Sequence, residues 1–223
     1  MALPRGRHQL SAGEVEANQR RRMLAGMAGA LAEHGYARLT VDDVLGRSGV
    51  SRRTFYEQFE DKDDCLYAAY EDAERRVWEA AVAAAAGVPA LTDAAEPSSD
   101  PWPRRVHAAL GAVLDLLAAE PDTARLFTLE ARAAGREMAA RHSAALDRAA
   151  AALRTGNRGA HAASKGADAV AVVTLPESTE RTLIDNVAAL VGSYVVSGAG
   201  ELLPGLKPQL GEHLLSPYRE VAA

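Results

Sequence analysis

Between Thr40 and Lys62 the chain reads TVDDVLGRSGVSRRTFYEQFEDK, and its caps and breakers leave room for little except two short helices joined by a tight turn. Thr40 stands where an N-cap belongs, with Asp42 and Asp43 in the first turn, where carboxylates suit the orphan amides and the positive end of a helix. The first helix is predicted to run to about Arg47. Ser48, Gly49 and Val50 then form the turn, with Gly49 free to take a positive φ and Val50 apolar enough to plug the corner. Ser51 caps the second helix. Phe55 and Phe59, four residues apart, share one buried face with Val41, Val44 and Leu45, which leaves Arg52, Arg53 and Tyr56 on the other side. Two guanidiniums and a phenol exposed at the start of a short helix suit the major groove of DNA, where the first residues of a recognition helix reach base edges and phosphates.

Charge looks wrong for such a partner until it is divided by region. The whole chain of 223 residues carries a formal net charge of −5. Residues 1–60 hold nine arginines and no lysine against seven acids, a net of +2, and residues 61–223 hold 16 basic and 23 acidic side chains, a net of −7. The positive potential is local, as a DNA-reading head on an acidic body requires. An apolar share of 48% with only 5% aromatics points to an all-α core of Ala, Leu and Val. The single Cys65 excludes an internal disulfide and a cysteine zinc site. No apolar run approaches the roughly 20 residues of a membrane span, and the polar N-terminus lacks the core of a signal peptide, so a cytoplasmic protein is expected.

Along the chain, Ser11 to Glu14 reads as a capping box that opens a helix running to about His34, with Gly35 as its stop and Leu24, Met27, Ala28 and Leu31 as its buried stripe. Ahead of it, Arg5, Arg7 and His8 form a basic arm of the kind that lies in a minor groove beside a major-groove helix, and Arg5 and Arg7 are candidate DNA contacts. Arg20, Arg21 and Arg22 are read either as a solvated face or as phosphate contacts. A long helix is predicted from Lys62 to about Ala86, then a surface loop over 88–103, where four of the ten prolines fall. Further helices are expected from about Val106, from Pro121 to about Ala134, and from Gly135 to about Gly156. The last carries His142, which reads as a core or edge histidine and alternatively as a group facing a ligand. Residues 156–174 are read as a flexible segment. Two amphipathic helices, at about 178–201 and 206–217, close the chain. Their apolar residues Leu183, Val187, Leu190, Val191, Tyr194, Leu210 and Leu214, with Gly192 and Gly198 permitting close approach, suit a four-helix contact between two copies.

The order Gly49-Val50-Ser51, Thr54-Phe55-Tyr56, Phe59, Lys62 and Leu66 closely resembles the pattern of the tetracycline-repressor (TetR) family. The resemblance is strongest over roughly residues 5–80. It implies a three-helix DNA-binding head over residues 1–62, and a helical body over 63–223 that encloses a small-molecule pocket and dimerises through its last two helices. It further implies a ligand-responsive regulator, most simply a repressor, that binds a roughly palindromic duplex as a homodimer and needs no cofactor. Carried over by position, Arg52 and Arg53 look like base or backbone readers; Thr40, Ser51, Thr54 and Tyr56 look like phosphate binders, and Lys62 matches a lysine whose ammonium suits a phosphate. Glu57, Glu60 and Asp61 beside the reading face are a departure in charge; Glu57 could accept from a cytosine amine or simply be solvated. An alanine-rich body leaves room for a mostly apolar ligand, with Leu110, Leu114, Phe127, Glu130, His142 and Leu146 as candidate lining.

Two rivals from other classes are a helical enzyme or carrier and a module that only binds proteins. Neither has a signature here. H-E-x-x-H, G-x-S-x-G and a phosphate-loop lysine are all missing, and Gly198-Ala199-Gly200 lacks the third glycine and the preceding strand of a dinucleotide site.

Overall fold

The computed structural model describes residues 11–89, 101–130, 133–163 and 175–220, and among these every regular element is helical. The candidate arm residues Arg5 and Arg7, and positions 164–174 of the segment expected to be flexible, lie outside the described residues. The chain divides into two compact units, Met1–Ala69 and Tyr70–Ala223. The division falls inside the helix Lys62–Ala86, about two turns past the boundary expected at residue 62. Packing explains the shift: Cys65, Leu66 and Ala69 are buried, and Asp63 accepts a hydrogen bond from the Tyr36 hydroxyl at 3.0 Å, so these turns belong with the head.

The head consists of α1 (Ala12–His34), α2 (Val41–Ser48), α3 (Arg52–Tyr56) and the first turns of α4 (Lys62–Ala86). Its ends are fixed by local chemistry. Ser11 and Glu14 cap α1 reciprocally, Thr40 and Asp43 do the same for α2, and the Ser51 hydroxyl accepts from the Thr54 amide at 3.0 Å to start α3. Gly49 ends α2 at φ 63°, its amide donating to the Leu45 carbonyl at 2.9 Å. That left-handed conformation favours glycine, and it swings the chain sharply into α3. The core is Met23, Met27, Leu31, Leu39, Val44, Phe55, Phe59, Cys65 and Leu66. Of the expected stripe of α1, Met27, Ala28 and Leu31 are buried, but Leu24 is only half so and Met23 is fully buried in its place. Val41 and Leu45 are also half-buried, and Gly26 lets α2 lie so close to α1 that a Cβ there would stand 3.1 Å from the Val44 carbonyl oxygen.

The body continues with α5 (Pro101–Ala119), α6 (Pro121–Arg125), α7 (Arg136–Ala163), α8 (Glu177–Val196) and α9 (Lys207–Glu220). Four boundaries differ from the sequence reading. Helix α5 starts within the expected loop, since Pro101 and Pro103 occupy a first turn, where proline costs no hydrogen bond. Past α6 the chain does not stay α-helical to Ala134 but widens into a π-helical turn, Leu126–Glu130. Helix α7 runs seven residues past Gly156, which is no stop: a Cβ there would lie 2.8 Å from the Trp102 indole nitrogen, so the glycine lets α5 approach. Helix α8 ends at Val196, and a 3-10 turn, Gly200–Leu206, buries Leu203 and Leu206 before α9. The body core gathers Trp102, Leu110, Leu114, Leu153, Leu183, Val191, Leu203, Leu210, Leu214, Leu215 and Tyr218. One buried carboxylate, Glu180 on α8, ties three helices together, taking an ion pair from Arg154 of α7 and a 2.9 Å hydrogen bond from the Tyr218 hydroxyl of α9. Burial first, and the Glu180 bond second, raise the Tyr218 pKa, so its hydroxyl stays a donor.

Candidate functional site

On the head, the capped turn at Gly49 presents α3 with Arg52, Arg53 and Tyr56 exposed and Phe55 buried beneath them. Tyr56 is held edge-on to Phe55, ring centroids 5.4 Å apart, and is 50% exposed despite its size. Both arginines already have partners. Arg53 donates to Glu57 at 2.8 Å, and Arg52 pairs with Asp42 of α2. Of the acids that looked out of place beside this face, Glu57 therefore holds one of its guanidiniums. Thr40, Ser51 and Thr54 sit at the starts of α2 and α3, their hydroxyls engaged in the caps: Ser51 and Thr54 share a 2.9 Å bond, and Thr40 donates to Asp43 at 2.6 Å. Hydrogen bonds from Thr40 lower the Asp43 pKa.

Lys62 has a different position from the one the resemblance implied. Its ammonium donates to the Leu39 carbonyl at 3.2 Å and lies 4.6 Å above the Tyr36 ring, so it fastens the start of α4 to the loop before α2. The arginine run of α1 is also partly absorbed by packing. Arg20 stands 4.7 Å over Phe59, and the Arg22 guanidinium covers Gly49.

In the body, helices α4, α5, α7 and α8 and the π-helical turn enclose a cavity of about 410 Å³ with predominantly apolar lining. Leu110, Phe127, His142 and Leu146 line it. Leu114 and Glu130 do not. Leu114 is fully buried in the core behind α5, and Glu130 is turned toward Arg125, whose guanidinium donates to it at 3.3 Å. His142 is bonded through Nδ1 to the Tyr70 hydroxyl at 3.1 Å, and Phe127 stacks on Tyr70 at 5.6 Å, so one end of the cavity is an aromatic wall. Burial raises the Tyr70 pKa and keeps that hydroxyl protonated. Sequence reasoning missed Val77, Trp78, Trp102 and Arg105, which also line the cavity. The signal was present: the two tryptophans are the bulkiest residues in alanine-rich helices.

The expected subunit-contact residues need correction. Leu183, Val191, Leu210 and Leu214 are buried in the body core of the same chain, and Val187 lines the cavity, so their apolar faces are already covered. Leu190 and Tyr194 are half-buried against that core. Gly192 faces Leu129 and Thr128 of its own chain, and Gly198, at φ 74°, only turns the chain out of α8. Past its first turn, in which Glu177 and Ser178 are exposed, α8 leaves Thr182, Asn186, Ala189, Ser193 and Val196 exposed. Among the described residues no group of three His, Cys, Asp or Glu is placed to hold a metal, and no helix is long and apolar enough to cross a membrane.

The described residues thus form a helix-turn-helix head with an exposed second helix and a helical body around an apolar cavity. Residues 24–69 match the sequence model described as "Bacterial regulatory proteins, tetR family". No curated protein is similar enough in sequence to count as a relative. Solved structures share the fold. The fatty acid degradation regulator FadR of Bacillus halodurans superposes with a TM-score of 0.70 at 18% identity, covering 87% of this chain and 97% of that one. FadR of Bacillus subtilis, solved in complex with stearoyl-CoA, gives 0.70 at 18% over 88% and 97%. A putative TetR-family regulator from Rhodococcus sp. gives 0.64 at 22% over 93% and 100%.

Proposed function

We propose that this chain is a ligand-responsive transcriptional repressor that binds a roughly palindromic operator as a homodimer and releases it when a small molecule fills the body cavity. The observation that carries the reading is the joint presence, in one chain, of the exposed Arg52, Arg53 and Tyr56 face on α3 and the apolar cavity of about 410 Å³. A drug-sized ligand fits a space of that order. That FadR of Bacillus subtilis, which shares the fold, was solved in complex with stearoyl-CoA supports a ligand-binding role.

Dimerisation is assigned to the exposed stripe Thr182, Asn186, Ala189, Ser193 and Val196, spaced four and three residues apart. Such spacing lines one side of a helix, and small side chains let two copies approach about a two-fold axis. Two heads related by that axis read half-sites one helical turn apart or a multiple of it. Arg52 and Arg53 supply base or phosphate contacts, Tyr56, Ser51, Thr54 and Thr40 phosphate contacts, and Lys62 positions α4 rather than touching DNA. Linkage requires ligand and DNA to weaken each other by the same factor, about 5–150-fold in ordinary allosteric proteins.

The test is a binding-site selection from random duplex DNA with the full chain, followed by titration of the selected site. Arg53→Ala is expected to weaken specific binding by about 1–3 kcal/mol and non-specific binding by less. A wild-type protein that enriches no sequence, or Arg52→Ala and Arg53→Ala variants with unchanged preference, overturns the assignment.

A further inference from the structure

The cavity is a slot rather than a bowl. On α7 its lining runs from His142 to Gly156, fourteen residues, which on an α-helix is about 21 Å. The two ends can be told apart. Gly156 packs on Trp102, and Trp102 is one turn from Arg105 on α5, so these three mark one end. His142 and Phe127, backed by Tyr70, close the other, where side chains are buried. Solvent reaches the slot along Trp78, 43% exposed, Val82, 49% exposed, and the exposed Arg105.

Spread over roughly 21 Å, a volume of about 410 Å³ makes the cavity longer than it is wide, a shape that an extended hydrocarbon chain fills end to end. The polar groups of the lining are mostly spoken for. Glu74 pairs with Arg148, the Thr128 hydroxyl donates to the Ala124 carbonyl at 2.7 Å, and His142 is bonded to Tyr70. Arg105 makes no hydrogen bond or ion pair with a described residue, and it stands at the open end.

Resting on the effector role proposed above, we infer that the slot binds an anionic amphiphile with a single unbranched acyl chain, its tail against the Phe127–His142 wall and its head at Arg105. Taking the roughly 1.2 Å advance per bond of an extended chain, the slot is full at about 16 to 18 carbons. The shared chemistry is a straight acyl chain ending in negative charge; a free carboxylate and a phosphate-bearing thioester are the two sources.

Trp78 and Trp102 are the two tryptophans of the chain and both line the slot, so intrinsic fluorescence reads it without background. The full chain is titrated, below micelle formation, with decanoate, laurate, palmitate, palmitoyl-CoA and hexadecanol. Expected are a blue shift of the exposed Trp78 emission and an affinity that rises by up to about fourfold per methylene and levels off near the filling length. Arg105→Ala is expected to weaken palmitate or palmitoyl-CoA by about tenfold or more and leave hexadecanol unchanged. Tighter binding of palmitate assigns the carboxylate, and tighter binding of palmitoyl-CoA the thioester. Affinity independent of chain length, tighter binding of a rigid polycyclic compound than of palmitate, or equal loss for palmitate and hexadecanol in Arg105→Ala overturns the inference. A DNA titration separates the two proposals. Acyl binding that leaves DNA affinity unchanged removes the release mechanism and keeps the ligand class; release by a compound of another shape, with no acyl binding, does the reverse.

Discussion

The head and the body of this protein are specified in different ways. In the head, nearly every boundary is written in the residues that form it: Ser11 with Glu14, Thr40 with Asp43, Gly49 and Ser51 each satisfy backbone groups within a few positions of themselves. In the body, the pieces that decide the shape meet across long sequence distances, as Glu180 meets Arg154 and Tyr218, or Gly156 meets Trp102. Local caps suit a part that must present three side chains to a partner at fixed spacing. A body held by distant contacts can keep a slot open between helices, because no single turn determines it.

That contrast can be broken at several points, the largest effect first. Phe55→Ala removes a fully buried ring shared by α3 and its neighbours, and an expected loss of about 3–5 kcal/mol in urea unfolding would abolish specific DNA binding; a loss under ~1 kcal/mol would show that packing is not what holds α3. Glu180→Ala in the body is expected to cost about 3 kcal/mol by the same measurement, since the buried carboxylate is the shared partner of Arg154 and Tyr218. Glu180→Gln should recover part of it by keeping the tyrosine bond, and equal losses for both variants would mean that the charge alone matters.

Ala189→Arg and Val187→Arg test the corrected contact face. The first places charge on the exposed stripe of α8 and should give folded monomers by light scattering, whereas the second enters the slot and should impair ligand binding before assembly. A dimeric Ala189→Arg variant would move the interface elsewhere.

The smallest effect is the cap. Thr40→Ala should cost about 1 kcal/mol. In the wild type the Asp43 pKa lies below its ordinary 3.8 when folded, so the cap's contribution is present above that value and fades as pH falls through the folded pKa. Stability curves of wild type and variant should therefore converge in acid, and parallel curves would argue against the Thr40–Asp43 bond. A second titration has the opposite sign. Burial pushes the Cys65 thiol up to about 12 from 9.0, so its contribution is complete below pH 9 and is lost as pH climbs toward the folded value. Ellman's reagent at pH 8 should leave the native thiol untouched and react with it once urea unfolds the head; fast native reaction would contradict that burial.

How much of this was legible in the sequence follows the same division. The ends of α1, the start of α2 and the extent of α4 agree with the reading of caps and periodicity, and so does the exposed trio on α3. What failed needed partners that no window contains. Gly156 reads as a helix stop until Trp102 is seen against it, and Leu183, Val191, Leu210 and Leu214 read as a contact face until the 3-10 turn and α5 are seen to cover them. Leu114 and Glu130 shared a stripe pattern with true lining residues; only the rotation of α5 and the π-helical turn put one in the core and the other against Arg125. Lys62 was placed at a phosphate by analogy, while two carbonyls and a ring within reach hold it.

The pairing of Arg52 with Asp42 and of Arg53 with Glu57 gives the head built-in counterions. On the proposed reading, duplex of arbitrary sequence would meet two nearly neutral couples rather than two bare cations, so less condensed salt would be displaced from the phosphates. A base edge that accepts in the right direction repays the opening of a couple; a phosphate alone repays less. Seen as a search problem, the proposed recognition helix would spend little time on wrong sites, its charge being offset until the geometry is right, and the salt dependence of its specific and random complexes should differ by less than two full arginine charges.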